Sequence, residues 1–147
     1  EKRRTMETCN YSKVLCQSSG QWVVDLIRPV MDKYPVRVLR KPAKTLVMIK
    51  MRETVAKAQF YLGEMLACEA MVELEGKKGF ALMMGDDTQK VMAAAVVDAL
   101  RKTDLPEKEP VLQALEQRQQ ELEREQQREI ARHARSKVQF ETLDVSY

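Results

Sequence analysis

The 147-residue sequence holds one histidine, three cysteines, five glycines and only 5% aromatic residues, and each shortage narrows what the chain can do. A hydrolase or transferase site needs a nucleophile held beside a base. The one histidine, His133, lies in a polar, Arg-rich stretch that reads as solvated surface, so no catalytic residue is assigned. Cys9, Cys16 and Cys68 are odd in number, lack C-x-x-C spacing and cannot make a zinc set with one distant histidine. Asp86 and Asp87 are adjacent acids of the kind that hold a hard cation. A helix cap at Asp86 explains that residue without one, and no metal ligand is assigned. Neither GxxxxGKS/T nor GxGxxG occurs, so there is no phosphate loop and the chain alone is expected to bind no cofactor. With no signal-peptide pattern and no apolar run long enough to cross a bilayer, the expected setting is cytoplasmic, away from membranes, with free thiols.

What the sequence does have is charge placed unevenly. The formal net charge is +3, but residues 1–52 carry +8, residues 53–104 carry −3 and residues 105–147 carry −2. Arg37, Arg40, Lys41 and Lys44 form the centre of the basic excess, with Lys50 and Arg52 beyond. Such a patch attracts nucleic acid, a phosphorylated small molecule or an acidic partner. RNA readers interleave cations with exposed aromatics, and only Tyr34 is available nearby, so nucleic acid is the weaker use.

With 44% apolar content, 147 residues can bury one modest core. The expected organisation is one α+β domain over residues 1–147, with a core to residue 104 and a helical arm plus terminal strand over 105–147. A loosely patterned helix spans Thr5 to Gln17. A second follows Ser18-Ser19-Gly20, kinked at Pro29. Val36 to Arg40 and Thr45 to Arg52 read as two strands joined by Lys41-Pro42-Ala43-Lys44, and the run Leu46 to Ile49 reads as buried on both faces and central. From Leu66 to Leu74 the residues alternate. Leu66, Cys68, Ala70, Val72 and Leu74 share one face, and Glu69, Met71 and Glu73 share the other. The second face mixes acids with a methionine, which suits a partner contact.

Gly76 and Gly79 mark a turn before a return strand to Met84, Gly85 ends that strand, and Asp86, three residues before Gln89, caps the next helix. Met92, Ala95, Val96, Ala99 and Leu100 line its inner stripe; Ala94 falls on the outer one. About four mostly antiparallel strands with helices on one face follow from these elements. After Pro106 and Pro110 a helix to about Arg135 would be roughly 40 Å long, more than a small domain needs, so part of it should project. Val138, Phe140 and Thr142 alternate in a last strand, expected to pair with the sheet edge of a partner chain.

Phe60, Leu62, Gly63, Glu64, Leu66 and Glu69, then Gly79-Phe80, Met84-Gly85-x-Asp87 and Asp98-Ala99-Leu100, together resemble the G subunit of the bacterial carbon–phosphorus lyase system, the PhnG family. Val14-Leu15, Val38-Leu39-Arg40-x-Pro42, Leu46-Val47-x-Ile49 and Ser136-Lys137-Val138-x-Phe140-x-Thr142 also fall where that family has similar runs. The resemblance covers about residues 11–147; Thr45 stands where the family tends to have glycine. It implies a cytoplasmic complex with H, I and J subunits, with I the most direct partner and the L protein acting functionally beside them. That system makes α-D-ribose 1-methylphosphonate 5-triphosphate from ATP and methylphosphonate, releasing adenine, with ATP a substrate of the complex. The resemblance assigns no catalytic residue, which implies a structural or allosteric subunit inactive alone. Two other readings stay open: a small nucleic-acid-binding α+β module, and a coiled-coil adaptor whose thin helical seam lacks sustained heptads.

Overall fold

The computed structural model describes residues 10–134. Its elements are α1 (Tyr11–Gln17), α2 (Gly20–Lys33), β1 (Val36–Arg52), β2 (Gln59–Leu74), β3 (Lys77–Met84), α3 (Thr88–Arg101) and α4 (Lys108–Ala134). The strands form one antiparallel sheet in the order β1-β2-β3. The α+β class therefore holds, with three strands among the described residues where four were expected. The expected terminal strand with Val138, Phe140 and Thr142 lies outside the described residues.

The missing fourth strand is explained by β1. Lys41-Pro42-Ala43-Lys44 does not join two strands; it is absorbed into one, and the register against β2 slips between Arg40 and Ala43. Proline cannot donate to a ladder, but a bulged edge strand tolerates it. Nor is the Leu46 to Ile49 run central. β2 occupies the centre, and Leu46 is 61% exposed.

Glu75 (φ 47°) and Gly76 (φ 74°) are both left-handed, as a two-residue hairpin between Leu74 and Lys77 requires. Gly79 has a different task from the turn expected of it. It sits inside β3 opposite Val72, and a Cβ there would lie 2.0 Å from the Ala95 carbonyl oxygen and 2.5 Å from the Ala99 nitrogen. The backbone of α3 thus lies directly on the strand. α2 and α4 pack on α3 as well, which is why Ala94 is buried together with Val91, Val97 and Leu100.

Gly85, at φ 103°, turns the chain out of β3. The cap of α3 is then Asp87 rather than Asp86: its Oδ1 accepts the Lys90 N–H at 2.9 Å. Its other oxygen fills the space beside Gly20, where a Cβ would come within 2.3 Å. Asp86 is left outside, 3.8 Å from Lys44 Nζ.

Asn10 caps α1 and Ser19 caps α2, each accepting a backbone N–H three residues on. α2 runs through Pro29 to Lys33 and buries Val23, Ile27 and Val30. At its end the Lys33 ammonium and the Tyr34 hydroxyl both donate to Glu107, fastening the start of α4. The hydrogen bond with Lys33 is the main reason that the Glu107 carboxyl lies below its ordinary pKa, and its counterpart raises Lys33. Val111 and Leu115 bury the first turns of α4. Beyond Leu122 every described residue is exposed; Glu123 and Gln126 still border a hollow against α1, and past them about 12 Å of helix overhangs the core.

Gly79→Ala should force α3 off the sheet and lower stability by about 3 kcal/mol, near the top of the overpacking range, seen as a drop in the urea midpoint. For the Glu107 clamp, the depressed carboxyl contributes stability above its unfolded-state pKa and loses it as pH falls through the lower folded value. Glu107→Gln should therefore melt below wild type at neutral pH, and the gap in Tm should close on acidification below the usual carboxylate range.

Candidate functional site

Strand alternation decides what the helices cover. Ala70, Val72 and Leu74 of β2 and Gly79, Ala81 and Met83 of β3 point to the helical side and are buried. Their neighbours point the other way, where none of the described helices lies. Glu69, Met71 and Glu73, expected at a partner contact, are half-buried on this open face. The register sets Leu82, Phe80 and Lys78 directly across from them. Phe80, Leu82 and Met84 are each about half exposed. In the sequence Phe80 and Met84 figure through the resemblance, and none of the three is expected there as a contact residue, because only the pairing register reveals which β3 residues join Met71.

The expected anion-attracting patch is strung along β1 and is partly neutralised. Arg40 bonds Glu69 at 2.8 Å. Arg37 stands across from Glu73 in the ladder, and Lys44 faces Asp86. Lys41 is exposed in the irregular stretch. Arg37 and Arg40 thus border the open face, Lys44 stands across from the buried Cys68 on the helical side, and two of the four bind acids of the same chain.

Past the Ala67–Met84 pair β3 ends, with the Gly85 N–H donating to the Leu66 carbonyl at 3.0 Å. β1 and β2 continue with no third strand among the described residues, from Leu46 opposite Leu66 to Arg52 opposite Gln59. At ~3.3 Å per residue this two-stranded arm is about 20–25 Å long. A loop closes it, in which the Glu53 N–H donates to the Ala58 carbonyl. Its surface is largely apolar on both faces, with Glu64, across from Met48, the one acid among its paired residues. Leu46 and Leu66 lie on one, Met65 and the half-buried Val47 on the other, and Met51 and Phe60 pair near the tip. Leu62, 60% exposed, occupies the irregularity where the register slips between Ile49 and Lys50. A lone two-stranded ribbon is marginal in water, and contiguous exposed apolar surface marks an interaction site.

The hollows carry less chemistry. One, between α2, α3 and Pro42, is lined mainly by Val24, Met31, Met92 and Ala93, with Arg28 bound to Asp25. Another, between α1, α3 and β3, contains Arg101 stacked 4.4 Å over the Tyr11 ring and Asp98 accepting from Phe80 N–H and Lys102. Among the described residues no group of three histidine, cysteine or acidic residues is placed to hold a metal ion. No described helix is long and apolar enough to cross a membrane.

The family model described as phosphonate metabolism protein PhnG matches residues 8–144. No curated protein sequence gives a significant match.

Leu82→Ser tests whether the open face is surface or core. Being 45% exposed, Leu82 should cost less than about 1 kcal/mol when truncated, while the fluorescence of a hydrophobic dye bound to the free chain should fall. A loss of several kcal/mol would mean that this face is packed in the isolated chain.

Proposed function

Because the chain belongs to the PhnG family of phosphonate metabolism proteins, we propose that it serves as a non-catalytic subunit of the carbon–phosphorus lyase core complex. In this reading it supports synthesis of α-D-ribose 1-methylphosphonate 5-triphosphate from ATP and methylphosphonate, with adenine released. Its partners are the H, I and J subunits, with the I subunit in direct contact, and the L protein acts with the assembly in the cytoplasm. ATP is a substrate of the complex, and no cofactor is held by this chain alone.

The observation that carries the reading is the open sheet face on which Met71, Phe80, Leu82 and Met84 form an apolar patch edged by Glu69, Glu73 and Lys78. Surface of this composition suits burial against another subunit far better than catalysis in water. A structural or allosteric role then follows from what such a face can do: it can hold and orient the subunit that processes the nucleotide.

Co-expression of the chain with the H, I and J subunits, followed by affinity purification and an adenine-release assay with the L protein, tests this. The chain should co-purify in fixed stoichiometry, release no adenine alone, and be required for release by the reconstituted system. Undiminished adenine release without it would refute the proposal.

A further inference from the structure

The arm and the flat part of the open face differ in what they need. A partner lying on one side could cover Phe80 and Leu82, but Leu46 and Met65 project from opposite sides of the ribbon and no single flat contact buries both. We propose that the arm formed by residues 46–66 inserts into an apolar cleft of another protein subunit, one whose rim carries carboxylates along the β1 edge. This rests on the subunit reading above and names the element and the chemistry through which it is realised.

Charge selects the occupant. β1 carries six cations and no acid from Val36 to Arg52. Arg40 and Lys44 have acidic partners within the chain, whereas Lys50 and Arg52, nearer the tip, form no ion pair among the described residues. Glu53 is the one acid at that end of the edge, and Lys57 follows it in the loop. Pairing two copies along β1 would set cation against cation, a like-charge arrangement that opposes association. A strand or loop bearing acids removes that conflict and can also satisfy the outward backbone groups of the edge. Lys50 already lies over the Tyr61 ring, 6.0 Å from its centre, which leaves its ammonium at the rim rather than over the apolar faces.

The test uses the full chain co-expressed with the H, I and J subunits. Leu46→Glu and Leu62→Glu alter exposed arm positions, Lys50→Glu with Arg52→Glu reverses the rim, and Ile130→Glu on the α4 overhang is the control. Wild type and the control should co-purify with the partners. The arm variants should lose at least tenfold in recovery while keeping wild-type circular dichroism and Tm, and the rim variant should lose the salt sensitivity of wild-type association. Arm amides in the wild-type assembly should also exchange hydrogen more slowly than in the free chain, a readout independent of how the variants fold. Arm variants that co-purify as well as wild type, or arm amides that exchange unchanged on assembly, overturn the proposal while leaving the subunit reading in place. Wild type that fails to co-purify overturns both. Light scattering that finds a dimer dissolved by the arm variants assigns the arm to self-association and overturns the proposal. So does loss of single-stranded oligonucleotide binding in variants that still co-purify.

Discussion

The closeness of α3 to β3 is the contact on which the described fold rests. With no side chain at Gly79 and only methyl groups at Ala95 and Ala99, the helix backbone settles onto the strand, where even one added carbon would collide with main-chain atoms. Burial then radiates from that seam. β2 gives α3 Ala70, Val72 and Leu74, while α2 and α4 pack against other parts of the helix. Because every described helix is recruited directly or indirectly through α3, the four of them gather on one side of the sheet. The bare opposite face is a consequence of the same contact.

Patterns contained within one element were legible in the sequence. The alternation of β2 placed Glu69, Met71 and Glu73 on the outer face, since strand geometry sends neighbouring residues to opposite sides regardless of what lies there. Features decided between elements were not. Asp86 and Asp87 each stand three residues before a residue whose backbone could be capped, and only the fit of Asp87 beside Gly20 separates them. Gly79 looks like part of a turn because a sequence shows its neighbours along the chain; Ala95, whose carbonyl oxygen excludes its Cβ, lies sixteen residues later. Likewise Pro42 reads as a break until β1 is known to be an edge strand, where the missing N–H is tolerated.

The arm is the most instructive difference. Four consecutive apolar residues from Leu46 were read as a strand buried on both sides, and the structure instead leaves Leu46 and Met48 mostly exposed. Hydrophobic patterning reports that both faces suit an apolar environment, but it is silent on whether that environment belongs to the same chain. The clue lies in element lengths: β1 and β2 run for 17 and 16 residues, and β3 stops after 8. No periodicity within a single strand discloses that mismatch. The site was thus half visible, with the β2 side of the open face readable and its β3 and arm portions dependent on register.

An arm whose two faces are finished only by a neighbour also has a bearing on supply. An unassembled copy presents Leu46, Tyr61, Leu62 and Val55 to every other molecule it meets, and exposed apolar surface beside an unpaired strand edge is what draws chaperones, proteases and aggregation. Copies made in excess of their partner would then be the ones a cell removes. Under the docking reading, the abundance of this subunit is governed by the protein that covers its arm as much as by its own synthesis.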